Sequence, residues 1–136
     1  MSELTPESIL HQAEPDPEKI EALGPYQIES LIPRSAELRM TAYRVTIEPH
    51  QETSESYHRI AEELYFVVQG QGIAYLDDVP HPLAPGTFLR LPPGTRHRFI
   101  TREHALQMLD IHSPGSRPDR DVYFTGKPPE GFQSDE

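Results

Sequence analysis

His58, a carboxylate five positions on at Glu63, and a distant second histidine, His97, are the residues of this sequence whose types suit metal chemistry. Two imidazoles with one carboxylate suit iron(II), manganese, nickel or zinc, and such a set leaves coordination positions open for water, oxygen or a bound molecule. The chain contains no cysteine, so disulfides and zinc–thiolate sites are excluded and His, Asp and Glu are the available ligands. Taken singly, each residue has a plainer role. A lone histidine at a barrel mouth is more often only a hydrogen-bonding group, and Glu63 could cap a turn or pair with Arg59, Arg96 or Arg98.

Strand parity decides which neighbours share a face with these three. Residues two apart point the same way, so Ser56 accompanies His58 while Tyr57 and Arg59 point away. Glu63 shares its face with Tyr65 and Val67, and Glu62 goes to the opposite side. His97 shares its face with Phe99 and Thr101. On the last regular strand Leu106, Met108, Asp110 and His112 lie together. Tyr65, Phe99 and Met108 are therefore expected to line any cavity, although aromatic and Met residues at strand spacing are usually plain core. Arg90, Arg96, Arg98 and Arg102 form a basic cluster, read first as solvated strand faces paired with surplus acid and second as a contact for an anionic substrate.

Two stretches carry a family resemblance. Ser56 to Gly72 reads SYHRIAEELYFVVQGQG and Gly86 to Thr101 reads GTFLRLPPGTRHRFIT. His58, Glu63 and Gly70 resemble the first motif of the cupin superfamily, and Gly86, Pro92, Gly94 and His97 resemble its second. The motif's opening glycine falls on His50, its first histidine on Ser56 and its closing asparagine on Thr101. The resemblance covers residues 38 to 112 and implies a metal held by His58, Glu63 and His97. It also implies that Ser56 stands where a fourth ligand is common. A neutral serine is a poor ligand, but its hydroxyl can hold a metal-bound water or a substrate oxygen. If the face of the last strand points inward, His112 either replaces the missing ligand or carries a proton. Ser56, Tyr65, Phe99, Thr101 and His112 are the candidate substrate-binding residues, and His50 and His104 are surface histidines.

The elements that must position these groups are short. Fifteen prolines argue against long helices and for strands joined by turns. Thr5-Pro6-Glu7 and Asp16-Pro17-Glu18 carry helix-start signals, and Gly24-Pro25 ends the second, so two short helices are expected before an extended run from Tyr26 to Ile32. Ala36 to Ala42 alternates, then Tyr43, Val45 and Ile47 alternate in the opposite phase, predicting a bulge near Ala42 and Tyr43. Residues 49–55 are a loop. Further strands are expected over 64–68, 73–76, around 83, over 87–91 and over 105–112. Val122-Tyr123-Phe124 is expected to dock on the barrel, and Gln133 to Glu136 to fray.

The expectation is one all-β domain: a double-stranded β-helix, or jelly roll, of the cupin kind, with short N-terminal helices. Its parts are an arm over residues 1–34, a barrel over 35–113 and a tail over 114–136. A chain of 136 residues with 35% hydrophobic content builds one core. Its net charge of −10 disfavours nucleic acid and anionic lipid as partners. The absence of a signal-like start or a membrane-length apolar run points to a cytoplasmic protein.

Two functions fit. One is a metal-dependent dioxygenase, isomerase or lyase acting on a small polar molecule, with likeness to sugar-phosphate isomerase-like cupins. The other is a non-catalytic module binding a sugar or metabolite in the same cavity. Apolar residues on both strand faces over 64–68 suggest a wall covered outside as well, and cupins of this size commonly pair, so a homodimer is expected.

Overall fold

Alternating side chains and frequent Gly or Pro leave this sequence little choice but short strands, and the computed structural model, which describes residues 3–132, contains eleven. They are β1 (Ile20–Leu23), β2 (Tyr26–Ser30), β3 (Thr41–Ile47), β4 (Ser56–Tyr57), β5 (Glu62–Gly70), β6 (Gly72–Leu76), β7 (Val79–Leu83), β8 (Phe88–Leu91), β9 (His97–Ile100), β10 (Leu106–Ser113) and β11 (Tyr123–Phe124). One sheet has the order β1-β2-β3-β10-β5-β8 and the other β11-β4-β9-β6-β7. All strand pairs are antiparallel.

The inward faces of the two sheets make one core. Tyr43, Val45 and Ile47 of β3, Tyr65 and Val67 of β5, and Leu106 and Met108 of β10 meet Ala74, Leu83 and Phe99 from the opposite sheet. Polar side chains occupy the same inward rows toward one end. Thr41, Glu63, Asp110 and His112 are all buried there, continuing the parity of the apolar residues. Each of these strands thus spends part of its inner face on packing and the rest on a buried polar cluster.

Three expectations are corrected. No α-helix forms among the described residues; the two helix signals end as a turn at Pro6-Glu7 and a 3-10 turn, Pro17–Lys19. Asp16 does cap the latter by accepting from the Glu18 N–H at 3.0 Å, but Ile20 to Leu23 continues as a strand paired with β2. Gly24, at φ +60°, makes the tight hairpin turn instead of ending a helix. The expected phase change near Ala42 is also absent. Thr41, Tyr43, Val45 and Ile47 keep one inward phase, while Leu38 and Met40 precede the strand and are exposed. Alternation before a strand carries no information when no neighbouring ladder takes up its hydrogen bonds. The real irregularity lies in β5, where Gln107 pairs Gln69 but Met108 pairs Val67, leaving Val68 extra.

The arm is fastened by Glu29, which is almost fully buried on β2. Its carboxylate accepts from the Gln12 side chain, from the Asp16 N–H at 3.1 Å and from Arg44 at 2.9 Å. After β10 the chain returns across the barrel mouth. Val122 is buried and β11 pairs with β4. The fraying expected at Gln133 to Glu136 lies outside the described residues. Among those described, no helix is long and apolar enough to cross a membrane.

Candidate functional site

Antiparallel register brings the site together. β10 places His112 opposite Glu63 of β5 on one side and opposite Thr41 of β3 on the other, and β9 places His97 opposite Ser56 of β4. His58 follows β4 and faces the same interior. The four side chains His58, Glu63, His97 and His112 are each no more than 7% exposed.

Glu63 is the hub. Its Oε1 lies 3.2 Å from His58 Nε2 and 3.5 Å from His97 Nε2, and its Oε2 lies 2.8 Å from His112 Nε2. His58 Nε2 and His112 Nε2 are 3.2 Å apart. Despite this proximity no donor is aligned on either Glu63 oxygen, and Asp110 Oδ1 is likewise buried without a hydrogen-bond partner. One ligand atom each from His58, Glu63 and His97 fall within 4.8 Å of one another, and so do those of Glu63, Asp110 and His112.

The other nitrogen of each ring explains why. His58 Nδ1 meets the Asp121 carbonyl at 2.6 Å and His97 Nδ1 meets the Thr95 carbonyl at 3.2 Å. Carbonyls only accept, so both rings carry their proton on Nδ1 and turn a bare Nε2 inward when neutral. His112 Nδ1 lies 3.5 Å from the Thr41 hydroxyl, whose own proton goes to the Ser116 carbonyl at 3.0 Å. Three nitrogen lone pairs therefore converge on a carboxylate. That set of acceptors is repulsive until positive charge, either protons or a cation, is placed at its centre.

Charge and burial act against each other here. Burial pushes the Glu63 carboxyl up, but the three histidines outweigh it and hold it well below the ordinary carboxylate range. Burial lowers His58 while the Glu63 carboxylate raises it, with a net rise. Burial also lowers His97 and there prevails over Glu63. Asp110 goes the other way, pushed well up by burial and by the charge on Glu63. Tyr65 is raised well above the ordinary phenol range by burial, Asp110 and Glu63, and burial takes Tyr43 up to about 12.

A cavity with a free volume of about 70 Å³ opens over this cluster. Its floor is polar, with Ser56, Tyr65, Asp110 and Ser116 beside the histidines. Its mouth is apolar, formed by Leu23, Tyr26 and Ile28 from the first hairpin and by Pro118, Val122 and Phe132 from the returning tail.

Of the residues singled out in sequence, His58, Glu63 and His97 meet as expected, and Ser56, Tyr65 and His112 line the cavity. Phe99 and Thr101 do not. Phe99 is fully buried core packed on Tyr65 at 5.1 Å between ring centroids, and the Thr101 hydroxyl donates to the Glu48 carbonyl at 2.6 Å while accepting from the Gln51 N–H at 3.0 Å. Strand parity gave both an inward direction, but depth along the strand put them below or beside the cavity. Met108 is core for the same reason. The basic cluster is a surface feature: Arg90 pairs with Glu62, Arg96 with Asp78 and Arg98 with Glu52.

Sequence reasoning missed Asp121, Ser116 and Tyr43. Ser116 and Asp121 belong to an aperiodic tail with no motif, and Tyr43 reads as ordinary core until its hydroxyl is seen donating to the Ser116 carbonyl at 2.7 Å. Asp110 was visible as the one acid on the His112 face, yet its companionship with Glu63 depends on strand pairing.

Comparison with known proteins agrees with this architecture. A curated relative, Protein SchB of Streptomyces halstedii, is 45% identical over 53 residues, and the match spans 39% of this chain and 38% of that protein's length. Among solved structures, a variant of Streptomyces PAC13 with uridine superposes with a TM-score of 0.69 at 19% identity, covering 85% of this chain and 92% of that one. The polyketide cyclase RemF from Streptomyces resistomycificus does so with a TM-score of 0.68 at 18% identity, covering 90% and 91%. At such identities the likeness is one of fold. The sequence model of the Cupin domain matches residues 43–112, just over half of the chain, and with the two-sheet barrel around His58, Glu63 and His97 this makes the chain a member of the cupin family.

Proposed function

We propose that this cupin is a metal-dependent enzyme acting on a small molecule with an oxygenated end and an apolar body, and that its reaction is a proton-transfer one of the lyase or isomerase type. The observation that carries the reading is the convergence of three Nε2 lone pairs on the unpartnered Glu63 carboxylate. Imidazoles whose Nδ1–H is tied back to a carbonyl are the usual form in which histidine binds a metal. His58, His97 and Glu63 would hold the ion, and His112 stands where it replaces the donor that Ser56 lacks. When bound, a divalent ion at such a site polarises a carbonyl or hydroxyl oxygen and lowers the pKa of a bound water.

The chain's own residues supply the rest. Asp110, its carboxyl pushed well up by burial and Glu63, would offer a proton at its carboxyl oxygen, and Tyr65, raised well above the ordinary phenol range, would hold its own beside it. Ser56, 3.4 Å from His97 Nε2, is placed to orient a polar group. The apolar mouth excludes water and receives the body of the ligand. Similar barrels serve a nucleoside dehydratase, Pac13, and a polyketide cyclase, RemF, which supports proton-transfer chemistry on oxygen-rich molecules over oxygen activation. The second reading is a non-catalytic module holding a sugar or metabolite in the same cavity, whose apolar mouth and polar floor suit binding alone equally well.

Elemental analysis of protein purified without added metal tests the first reading. Near-stoichiometric iron, manganese, nickel or zinc, lost in both His58→Ala and His97→Ala, is expected; metal-free wild type with no affinity for any of the four would end it. Affinity should also rise with pH. Protons compete for His58, whose folded pKa is raised, so binding should keep strengthening above the ordinary histidine value of about 6.5 and weaken steadily below it. A flat titration between neutral and mildly alkaline pH contradicts that arrangement.

The outer face of the six-stranded sheet supports a homodimer. Phe66 and Val68 of β5 and Phe88 of the edge strand β8 are 45%, 46% and 58% exposed, and Phe66 pairs with Phe88. A second copy covering this face would remove them from water. Light scattering after size exclusion should give about twice 15.5 kDa; a mass of one chain at micromolar concentration rejects the dimer.

A further inference from the structure

We propose that Asp121 is a positioning residue of the site, fixing both the tautomer of His58 and the turn that delivers Glu63. The proposal rests on the metal-site reading above but can be tested apart from it. Asp121 lies beyond the family match, in the segment that returns across the mouth, and is 8% exposed.

Its two functional groups work on consecutive residues of the other segment. The carboxylate accepts from the Arg59 N–H at 2.9 Å, from the Ile60 N–H at 3.2 Å to each oxygen, and from the Ala61 N–H at 2.9 Å. Those three donors span the short connection from His58 to the start of β5. The backbone carbonyl accepts from His58 Nδ1 at 2.6 Å. One residue therefore grips the connection and the ring together, and the ring cannot rotate without breaking the shorter of these bonds.

The backbone is arranged for this. Asp121 has φ +61°, a left-handed conformation that Asp, Asn and Gly tolerate best, and it turns carbonyl and carboxylate toward the same partner. Ser116 reinforces the grip, its hydroxyl donating to the Arg120 carbonyl at 3.1 Å. A hydroxyl partner, which can donate as well as accept, would leave the ring free to choose a tautomer. A carbonyl does not, because it has no proton to give.

The test uses the full chain with Asp121→Gly, which tolerates the left-handed backbone but removes the carboxylate that clamps this segment to the connection over residues 59–61, so that the carbonyl is no longer held against His58 Nδ1, and Asp121→Asn, which keeps the shape and one good acceptor. In metal-free protein at alkaline pH, where His58 is neutral, imidazole nitrogen NMR should show the Nδ1–H tautomer in wild type and a mixture in Asp121→Gly, with Asp121→Asn between. Zinc affinity should fall about 10- to 100-fold in Asp121→Gly, with partial rescue in Asp121→Asn. A folded Asp121→Gly, or Asp121→Asn if the former does not fold, with a wild-type tautomer overturns the proposal, even if its melting temperature has dropped. If wild type binds no zinc, the metal reading fails while the tautomer comparison still decides the role of Asp121.

Discussion

Glu63→Gln should lower divalent-metal affinity by on the order of 100-fold or more, the equivalent of about 3 kcal/mol, because a buried ion is left without its one full countercharge. Glutamine preserves volume but replaces an acceptor with a donor and cancels the charge on which the site is balanced. Asp110 is a poor substitute, because burial, the larger of the effects that push its carboxyl up, persists in the variant. The same variant should move two neighbours in predictable directions without metal. His58 should titrate lower, because burial then acts without the carboxylate that opposes it. Asp110 should titrate lower too, because the charge that raises it has gone. Calorimetric titration with zinc or manganese and carboxyl and imidazole NMR titrations read these effects; unaltered affinity together with an unmoved His58 would remove Glu63 from the centre of the site.

The second large effect is on stability. Phe99→Ala should cost about 3–5 kcal/mol, the range for deleting a fully buried aromatic ring. Phe99 has no exposed surface and packs edge-on to Tyr65, while its backbone N–H donates to the Thr53 hydroxyl at 2.9 Å and its carbonyl accepts from the Thr53 N–H at 3.0 Å. The ring also lies beneath His97, at 6.3 Å between centroids. Its loss opens a void where the two sheets meet, beneath β9, which is laddered along its length to β6 but held on its Ser56 side by a single bridged pair. Urea unfolding followed by circular dichroism would measure the cost. A change under about 1 kcal/mol would mean the surroundings collapse into the void and that the core tolerates its absence.

How much of this was legible in the sequence depended on the range of the signal. His58, Glu63 and His97 were found because motif spacing encodes their position in a barrel, and His112 because parity put it on one face with Met108. The reading stopped where depth mattered: Phe99, Thr101 and His112 each share the parity of their strand, and only sheet pairing distinguishes floor from foundation. The N-terminal arm was misread because a cap, a proline and two apolar residues three apart describe a helix start as well as a hairpin, and the choice was made by β3 offering β2 a ladder. Asp121 gave no signal at all. Its partners lie some sixty positions earlier, and a turn-forming aspartate looks the same whether it holds water or a catalytic segment.

The donor at His112 sits on β10, the strand bonded on both sides by β3 and β5, whereas the serine facing the cavity sits on β4, two residues long and tied to its neighbours by few contacts. The two walls of the chamber are thus unequally braced: His112 stands on a strand zipped along both edges, while Ser56 stands on a short one beneath Phe132 and the returning tail, so a change of sequence around Ser56 can reshape the cavity with fewer ladder bonds at stake than one around His112.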